Sequence, residues 1–179
     1  MAARFLLRTQ SMIVQRPLQH NSFENQKLMN MAIDSIPNQE KSADFKSYSV
    51  LVADDDRTMA ELLATNLRRL GHRVAGIAWN GREAVEMALK LQPGVVIMDI
   101  HMPVMDGLHA ARELLKKQPM PIVLSTGLSD PRSLNGAVDL NVISYLVKPF
   151  SPAQLKVAIH LAVAQCDRAV APAPAAPAA

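Results

Sequence analysis

The sequence predicts an α/β domain in which a parallel β-sheet is covered by helices on both faces. Between about Tyr48 and Arg168, strand-like and helix-like segments alternate five times. The strand-like segments are continuous apolar runs, which is typical of parallel strands buried on both faces. Four of these runs end in acidic, hydroxyl or amino side chains. Ligands of such sheets bind beyond the carboxyl ends of the strands, so a polar site is predicted at that edge.

Three strands and two helices are predicted in the first half of the domain. Residues 50–53 form the first strand, and an apolar stripe at helical spacing follows until Gly71 ends the helix. Residues 74–78 are the second strand, residues 81–91 the second helix, and residues 95–98 the third strand. The stripe of the first helix consists of Met59, Leu62, Leu63, Leu67 and Leu70.

The second half is predicted to contain three helices and two strands. A third helix precedes the fourth strand at residues 122–125, and a fifth strand covers residues 145–147. Asp130-Pro131 and Ser151-Pro152 are helix-start signals for the fourth and final helices, although Gly136 weakens the fourth. The apolar stripes of the third and final helices are Leu108, Ala111, Leu114, Leu115 and Leu155, Ile159, Ala162, Val163, Cys166.

Composition limits the class of protein. The 179 residues suit one ordinary domain with flanking segments, and the single Cys166 favours a reducing cytoplasm without disulfides. Residues 47–179 carry thirteen Lys and Arg against twelve Asp and Glu, so no nucleic-acid surface is predicted. No apolar run is long enough to span a membrane. The four histidines of the folded part lack metal-ligand spacing and are expected to be surface or partly packed residues; they are His72, His101, His109 and His160.

Both ends of the chain have the composition of unpacked segments. Residues 1–46 lack sustained periodicity and are predicted to be a disordered extension, while residues 169–179 form an Ala- and Pro-rich tail. The acid-free, Arg-containing start also fits a transit peptide, and Met29 or Met31 could be the true start. A disordered extension or a misassigned start is favoured over a targeting role. The folded domain is therefore placed at residues 47–168.

Polar residues at the strand ends predict phosphate chemistry. Asp54 and Asp55 follow the first strand, Asp99 the third, Thr126 the fourth and Lys148 the fifth. Singly, each would be a helix cap, a strand residue or a surface charge. Together they would place three carboxylates, a hydroxyl and an ammonium at one edge, a set suited to Mg²⁺ and a phosphoryl group. Asp99 is the candidate nucleophile, forming an aspartyl phosphate.

These residues resemble the receiver domains of two-component response regulators, specifically the stand-alone, chemotaxis-regulator-like form. The resemblance covers about residues 48–168 and rests on four segments: 52–56, 97–107, 125–127 and 145–150. It implies a flavodoxin-like (βα)5 fold with strand order 2-1-3-4-5. It also implies that Asp99 is the phosphoacceptor, with Mg²⁺ held by Asp55, by Asp54 through water, by Asp99 and by the backbone carbonyl of His101.

The resemblance further implies a switch. Thr126 and Lys148 would contact the phosphoryl group, Gly127 would leave room for it, and Tyr145 would turn inward as Thr126 moves. This rearrangement would change the face formed by the fourth helix, fifth strand and fifth helix, where partners or a second copy bind. The phosphoryl donor would be a sensor histidine kinase or a histidine phosphotransfer protein, and the downstream protein is not specified.

Two alternatives differ in class from a phosphorylated signalling domain. An aspartate-nucleophile phosphatase needs a second acid two residues after the nucleophile, where this chain has His101. A phosphorylation-independent scaffold would use the same fold only for docking. Residues 150–165 are similar to receivers with an RNA-binding output domain, but the eleven residues 169–179 cannot form one. The favoured interpretation is a domain that catalyses only its own phosphorylation and dephosphorylation.

Overall fold

A computed structural model describes residues 46–127 and 143–170 as a five-stranded parallel sheet with helices on both faces. The strand order β2-β1-β3-β4-β5 confirms the predicted α/β class and topology. The strands are β1 Ser49–Ala53, β2 Arg73–Ala78, β3 Val95–Asp99, β4 Ile122–Gly127 and β5 Ile143–Lys148. The described helices are α1 Arg57–Arg69, α2 Gly81–Leu91, α3 Gly107–Lys117 and a C-terminal helix, Pro152–Val170.

The sheet separates two apolar cores. Neighbouring strand residues point to opposite faces, so Leu51 packs in the core beneath α2 and α3. Val50 packs in the other core, beneath α1 and the C-terminal helix. Every residue of the central strand β3 is buried. Burial on both faces explains why the strands have continuous apolar runs rather than alternating ones.

The residues that follow the strands also begin the helices. The side chain of Asp56 accepts hydrogen bonds from the backbone N–H groups of Thr58 and Met59 at the start of α1. Asn80 and Asp106 cap α2 and α3 in the same way. The segments after β1 and β2 are therefore short, whereas residues 100–106 form a longer loop between β3 and α3.

One expected core residue is exposed. Leu62 was predicted to lie in the apolar stripe of α1, but it is 53% exposed. The buried positions of α1 are Ala60, Leu63, Ala64 and Leu67. Their spacing places Leu62 about 100° from Leu63 around the helix axis, on the solvent side. The buried stripe of α1 is therefore narrower on this side than the sequence predicted.

Several expectations concern residues outside the described ranges. The predicted fourth helix, opened by Asp130-Pro131, falls there, as do the extension before residue 46 and most of the Ala- and Pro-rich tail. Of the helices in residues 46–127 and 143–170, none has both the length and the apolar content that crossing a bilayer requires.

His72 lies at the amino end of β2, opposite the polar strand tips, and is more deeply buried than expected. The residue is only 5% exposed to solvent. Its Nδ1 accepts a hydrogen bond of 3.2 Å from the backbone N–H of Tyr48. The neutral ring then carries its proton on Nε2, which has no hydrogen-bond partner within the described part of the chain. Burial lowers the pKa of His72, and the nearby His160 and Lys156 lower it further.

Acid should therefore destabilise the fold through His72. In the unfolded chain a histidine has a pKa of about 6.5, so below that pH the unfolded state binds more protons than the folded state. The contribution is fully present above this pH and is lost as the pH falls toward the lower folded-state pKa. His72→Gln should lose less unfolding free energy than the parent between about pH 8 and pH 5.5, measured by urea denaturation.

The matched control is Thr65→Gln, because Thr65 is exposed on α1 and has no titrating side chain. It should keep the pH dependence of the parent. Part of the dependence should remain even in His72→Gln, since burial also lowers the pKa of His160. An identical pH dependence in the parent and His72→Gln would contradict the assignment.

Candidate functional site at the carboxyl edge of the sheet

Three of the predicted site residues are in direct contact. The Lys148 ammonium lies 2.8 Å from Asp54 Oδ2 and 2.6 Å from Asp99 Oδ1. These residues come from the tips of β5, β1 and β3, which are separated by up to 94 positions in the sequence. The parallel sheet brings their carboxyl ends to one edge, as the sequence predicted.

The Asp99 carboxylate is fixed through both oxygens. Oδ1 accepts from Lys148, and Oδ2 accepts a 2.7 Å hydrogen bond from the backbone N–H of His101. Asp99 is buried, at 7% exposure, but lies at the end of a strand rather than in the apolar core. A carboxylate held in this way has a defined orientation at the edge of the sheet.

Lys148 also forms an ion pair with Asp54. Burial raises the pKa of Asp54 and outweighs the lowering effect of Lys148. Burial also acts to lower the pKa of Lys148, but hydrogen bonds and charges from Asp54 and Asp99 act in the opposite direction and raise it overall. Lys148 is therefore a firmly protonated ammonium between two carboxyl groups. Asp54 Oδ1 also accepts a 3.0 Å hydrogen bond from the Asp56 N–H.

Asp55 and His101 complete the acidic edge from the exposed side. The Asp55 side chain has no hydrogen bond or ion pair with the described residues, and both residues are exposed. Asp54, Asp55 and Asp99 together carry more negative charge than Lys148 balances. Within residues 46–127 and 143–170 no three His, Cys, Asp or Glu side chains surround a common metal position. The available donors are nevertheless carboxylate and carbonyl oxygens, the ligands that Mg²⁺ prefers.

Thr126 lies on β4, next to the strand that carries Asp99, and Tyr145 lies on β5, one strand further away. Thr126 is buried on β4, and its hydroxyl donates to the carbonyl of Gly127 at 3.2 Å rather than to the Asp99 carboxylate. Tyr145 is half-buried on β5 and packs against the core beneath α2 and α3. Burial raises the pKa of Tyr145 to about 12, against an opposing effect of Arg112, so its phenol is neutral.

The loop after β3 is held by two close backbone approaches. The Gly81 N–H donates to the Met105 carbonyl at 3.0 Å, and a Cβ at Gly81 would lie 2.3 Å from that oxygen. The Gly107 N–H donates to the Ile100 carbonyl at 2.9 Å, and a Cβ there would lie 2.1 Å from the Asp99 carbonyl oxygen. Between them Val104 has a φ of 68°, an unusual value for a β-branched residue.

A further contact at this edge is not visible in the sequence. The guanidinium carbon of Arg57 lies 5.1 Å from the centre of the Trp79 ring. Arg57 and Trp79 follow different strands, so no sequence spacing links them. The only sequence signal is that each comes directly after a predicted strand or its acidic tip.

Comparisons with known proteins agree with this architecture. The model of the response regulator receiver domain family matches residues 50–160. The transcriptional regulatory protein PdtaR of Mycobacterium tuberculosis strain H37Rv is 43% identical over 116 residues, covering 65% of this chain and 57% of PdtaR. A protein-glutamate methylesterase/protein-glutamine glutaminase of Archaeoglobus fulgidus is 40% identical over 102 residues, covering 56% of this chain and 29% of that protein. The chain thus spans little more than half of PdtaR and less of the archaeal enzyme.

Solved structures show the same likeness. The signal receiver domain of a modulated diguanylate cyclase from Desulfovibrio desulfuricans G20 has a TM-score of 0.63 and 30% identity, covering 69% of this chain and 99% of that one. The REC domain of the response regulator AraT from Geobacillus stearothermophilus has a TM-score of 0.61 and 28% identity, covering 69% and 98%.

Gly107 should be essential to the stability of this edge. Gly107→Ala places a methyl group against the Asp99 carbonyl, where backbone rather than a flexible side chain must move. We expect a loss of about 1–3 kcal/mol in unfolding free energy, the usual range for overpacking. Gly127→Ala is the control, since none of the described atoms lies within 4 Å of its added Cβ. Equal stability of the two variants in urea denaturation would refute the close approach.

Proposed function

The chain belongs to the response regulator receiver domain family, whose members act in phosphorelay signalling, and we propose that its receiver, residues 47–168, accepts a phosphoryl group on Asp99. The observation that carries this proposal is the contact of Asp99 with Lys148 at the carboxyl edge of the sheet. A structural ion pair would not require a carboxylate at a strand tip, with neighbouring acids exposed to solvent. Nucleophilic carboxylates with a cation beside them are a known arrangement for phosphoryl transfer.

The chemistry is an in-line displacement at phosphorus. An oxygen of the Asp99 carboxylate forms a bond to phosphorus, while the bond from phosphorus to the donor breaks. When the donor is a phosphohistidine, the imidazole nitrogen leaves with the bonding electron pair. A ring that carries a proton on its other nitrogen keeps that proton and departs as neutral imidazole. Lys148 pairs with the charge on the phosphoryl oxygens. The hydrogen bond from the His101 N–H fixes the orientation of the Asp99 carboxylate, so less entropy is lost when it reaches the geometry for attack.

Receiver domains generally bind Mg²⁺ in an acidic pocket, and the residues of this chain fit that ion. We assign it to Asp55 and Asp99, to the backbone carbonyl of His101 and, through water, to Asp54. Support comes from the oxygen-only donor set and from the exposed Asp55 carboxylate, which none of the described residues neutralises. When bound, the ion would neutralise charge on the phosphoryl oxygens.

The donor is proposed to be a sensor histidine kinase or a histidine phosphotransfer protein in the cytoplasm. The chain would catalyse only its own phosphorylation and dephosphorylation, and so act as a signalling domain. An aspartate-nucleophile phosphatase is disfavoured because His101, not a second acid, stands two residues after Asp99.

The output is proposed to pass through Thr126 and Tyr145. Thr126 would exchange its hydrogen bond to Gly127 for one to the phosphoryl group, and Tyr145 on the neighbouring strand would turn inward. The affected face comprises the predicted fourth helix, β5 and the C-terminal helix. A downstream protein or a second copy of the chain would bind there. Support for this coupling comes from the register, which pairs Thr126 with Val147, two residues beyond Tyr145 and next to Lys148.

Replacing Asp99 tests the acceptor directly. The parent, incubated with phosphoramidate and Mg²⁺, should gain the mass of one phosphoryl group, measured on the intact protein. Asp99→Asn should gain none, because the amide lacks a nucleophilic carboxylate oxygen. Asp167→Asn is the control, since Asp167 is exposed on the C-terminal helix. Labelling of Asp99→Asn at the parent's level would exclude Asp99 as the acceptor.

Thr126→Val tests the switch separately from the chemistry. The substitution keeps the side-chain shape but deletes the hydroxyl, so Asp99 should still be labelled. Phosphorylation of the parent should change backbone amide exchange in β4 and β5, and the variant should lose most of that change. If neither protein responds to phosphorylation, in exchange or in partner affinity, the chain behaves as a phosphorylation-independent scaffold instead.

A further inference from the structure

Arg57 and Trp79 form a cation–π pair at the same edge of the sheet as Asp54 and Asp99. The pair joins the first residue of α1 to the residue that follows β2. Its position relative to the acidic site is fixed by the backbone, because the Asp54 N–H donates to the carbonyl of Ala78 at 3.1 Å. Ala78 directly precedes Trp79, and Asp54 lies three residues before Arg57. Arg57 and Trp79 therefore begin from the same edge of the sheet as the predicted site.

Arg57 is not neutralised by the acids around it. It follows three consecutive aspartates, yet it makes no ion pair with the residues that the structure describes. Asp54 is engaged by Lys148, and the Asp56 carboxylate accepts two backbone N–H groups of α1. The guanidinium instead lies over an aromatic ring, where an exposed cation–π contact is worth only about 0.5–1 kcal/mol. A guanidinium stacked in this way can still donate the N–H groups on its edge to an anionic ligand.

Trp79 is a firm support for that guanidinium. Its backbone N–H donates to the Glu83 carboxylate at 2.8 Å, and its half-buried ring packs against the core beneath α1. Holding a long arginine side chain in one place reduces the entropy that is lost when it binds a ligand. Planar guanidinium groups also match phosphoryl oxygens through two parallel hydrogen bonds.

Charge at the edge makes a second cation useful. Asp54, Asp55 and Asp99 repel an approaching phosphoryl dianion, and Lys148 is already shared between two carboxylates. In the described segments that follow the strands, residues 54–57, 79–80, 100–106 and 149–151, Arg57 is the one Lys or Arg. Arg82, the next arginine along this edge, is oriented toward α3, where its charge acts on Glu113.

We propose that Arg57, held ready on the ring of Trp79, captures the phosphoryl group of the incoming donor before it is transferred to Asp99. The guanidinium stays stacked on the ring and binds two phosphoryl oxygens through the N–H groups on its edge, while Lys148 and Asp99 keep their places. The recognised chemistry is a phosphoryl dianion, whether carried by a small phosphoramidate or by a phosphohistidine protein. This proposal rests on the proposed phosphorylation of Asp99.

Initial rates of phosphorylation by phosphoramidate test the proposal. At low donor concentration, Arg57→Ala should lower kcat/KM about tenfold, the worth of one charge-assisted hydrogen bond. Arg57→Lys should retain an intermediate rate, since it keeps the charge but not the paired geometry. Arg82→Ala is the matched control and should phosphorylate at the parent's rate. Thermal unfolding of each variant verifies that it is folded at the assay temperature.

Trp79→Leu tests whether the ring acts through Arg57. It should slow phosphorylation in the parent background but add nothing in the Arg57→Ala background, because the two residues act as one unit. An equal slowing in both backgrounds would mean that Trp79 has only a structural role, and the proposal would be overturned. Trp79 is the single tryptophan of the chain, so its fluorescence also reports the pair. Inorganic phosphate should change its emission in the parent and not in Arg57→Ala.

A second donor separates phosphoryl recognition from protein docking. The second donor is a phosphorylated histidine phosphotransfer domain that labels the parent protein. Slower transfer to Arg57→Ala from both donors supports the proposal, whereas slowing with the protein donor alone assigns Arg57 to docking and overturns it. Unchanged rates in Arg57→Ala, with Asp99→Asn still unlabelled, reject the role of Arg57 and leave the acceptor in place. Failure to label the parent at all would reject both.

Discussion

The contact of Lys148 with Asp54 and Asp99 is the constraint on which the rest of this edge depends. In the sheet order, β5 is separated from β3 by β4 and from β1 by two strands. Lys148 therefore has to extend across the tip of β4 to reach either carboxylate. The residue opposite it in the register is Gly127, and a Cβ added there would meet none of the described atoms within 4 Å, the Lys148 side chain included.

This ion pair is better explained by chemistry than by stability. Charges that leave water lose hydration, and replacing a buried pair with apolar groups is often neutral or stabilising. Here the imbalance is larger, because Asp54 and Asp99 share one ammonium while the Asp55 carboxylate remains exposed beside them. Burial raises the pKa of Asp54, because a carboxylate that loses hydration is less stable than the neutral carboxyl group. Perturbed carboxyl groups gathered in this way are a mark of functional sites.

The sequence was sufficient for the sheet and for the residues at its tips, because both follow from local patterns. Continuous apolar runs identified the parallel strands, and the residue after each run identified Asp54, Asp99 and Lys148. Contacts between segments without such a pattern could not be predicted. The meeting of Arg57 with Trp79 depends on how α1 packs beside β2, and the exposure of Leu62 depends on the rotation of α1 against the sheet. Both are set by tertiary packing rather than by periodicity.

The same strand carries the cation of the site and the candidate switch residue. Lys148 ends β5 and Tyr145 lies three residues earlier, so they project from opposite faces of the sheet. Thr126 lies between Asp99 and β5 on the intervening strand, with its hydroxyl turned to its own backbone. If Asp99 is phosphorylated as proposed, the negative charge facing Lys148 grows, and phosphoryl oxygens that can accept a hydrogen bond from the Thr126 hydroxyl appear next to it. Both changes act on the edge strand β5, beside which the described residues form no further strand that would resist movement. The position of the ion pair at the end of an edge strand thus makes β5 the natural route from the acidic site to the outer face.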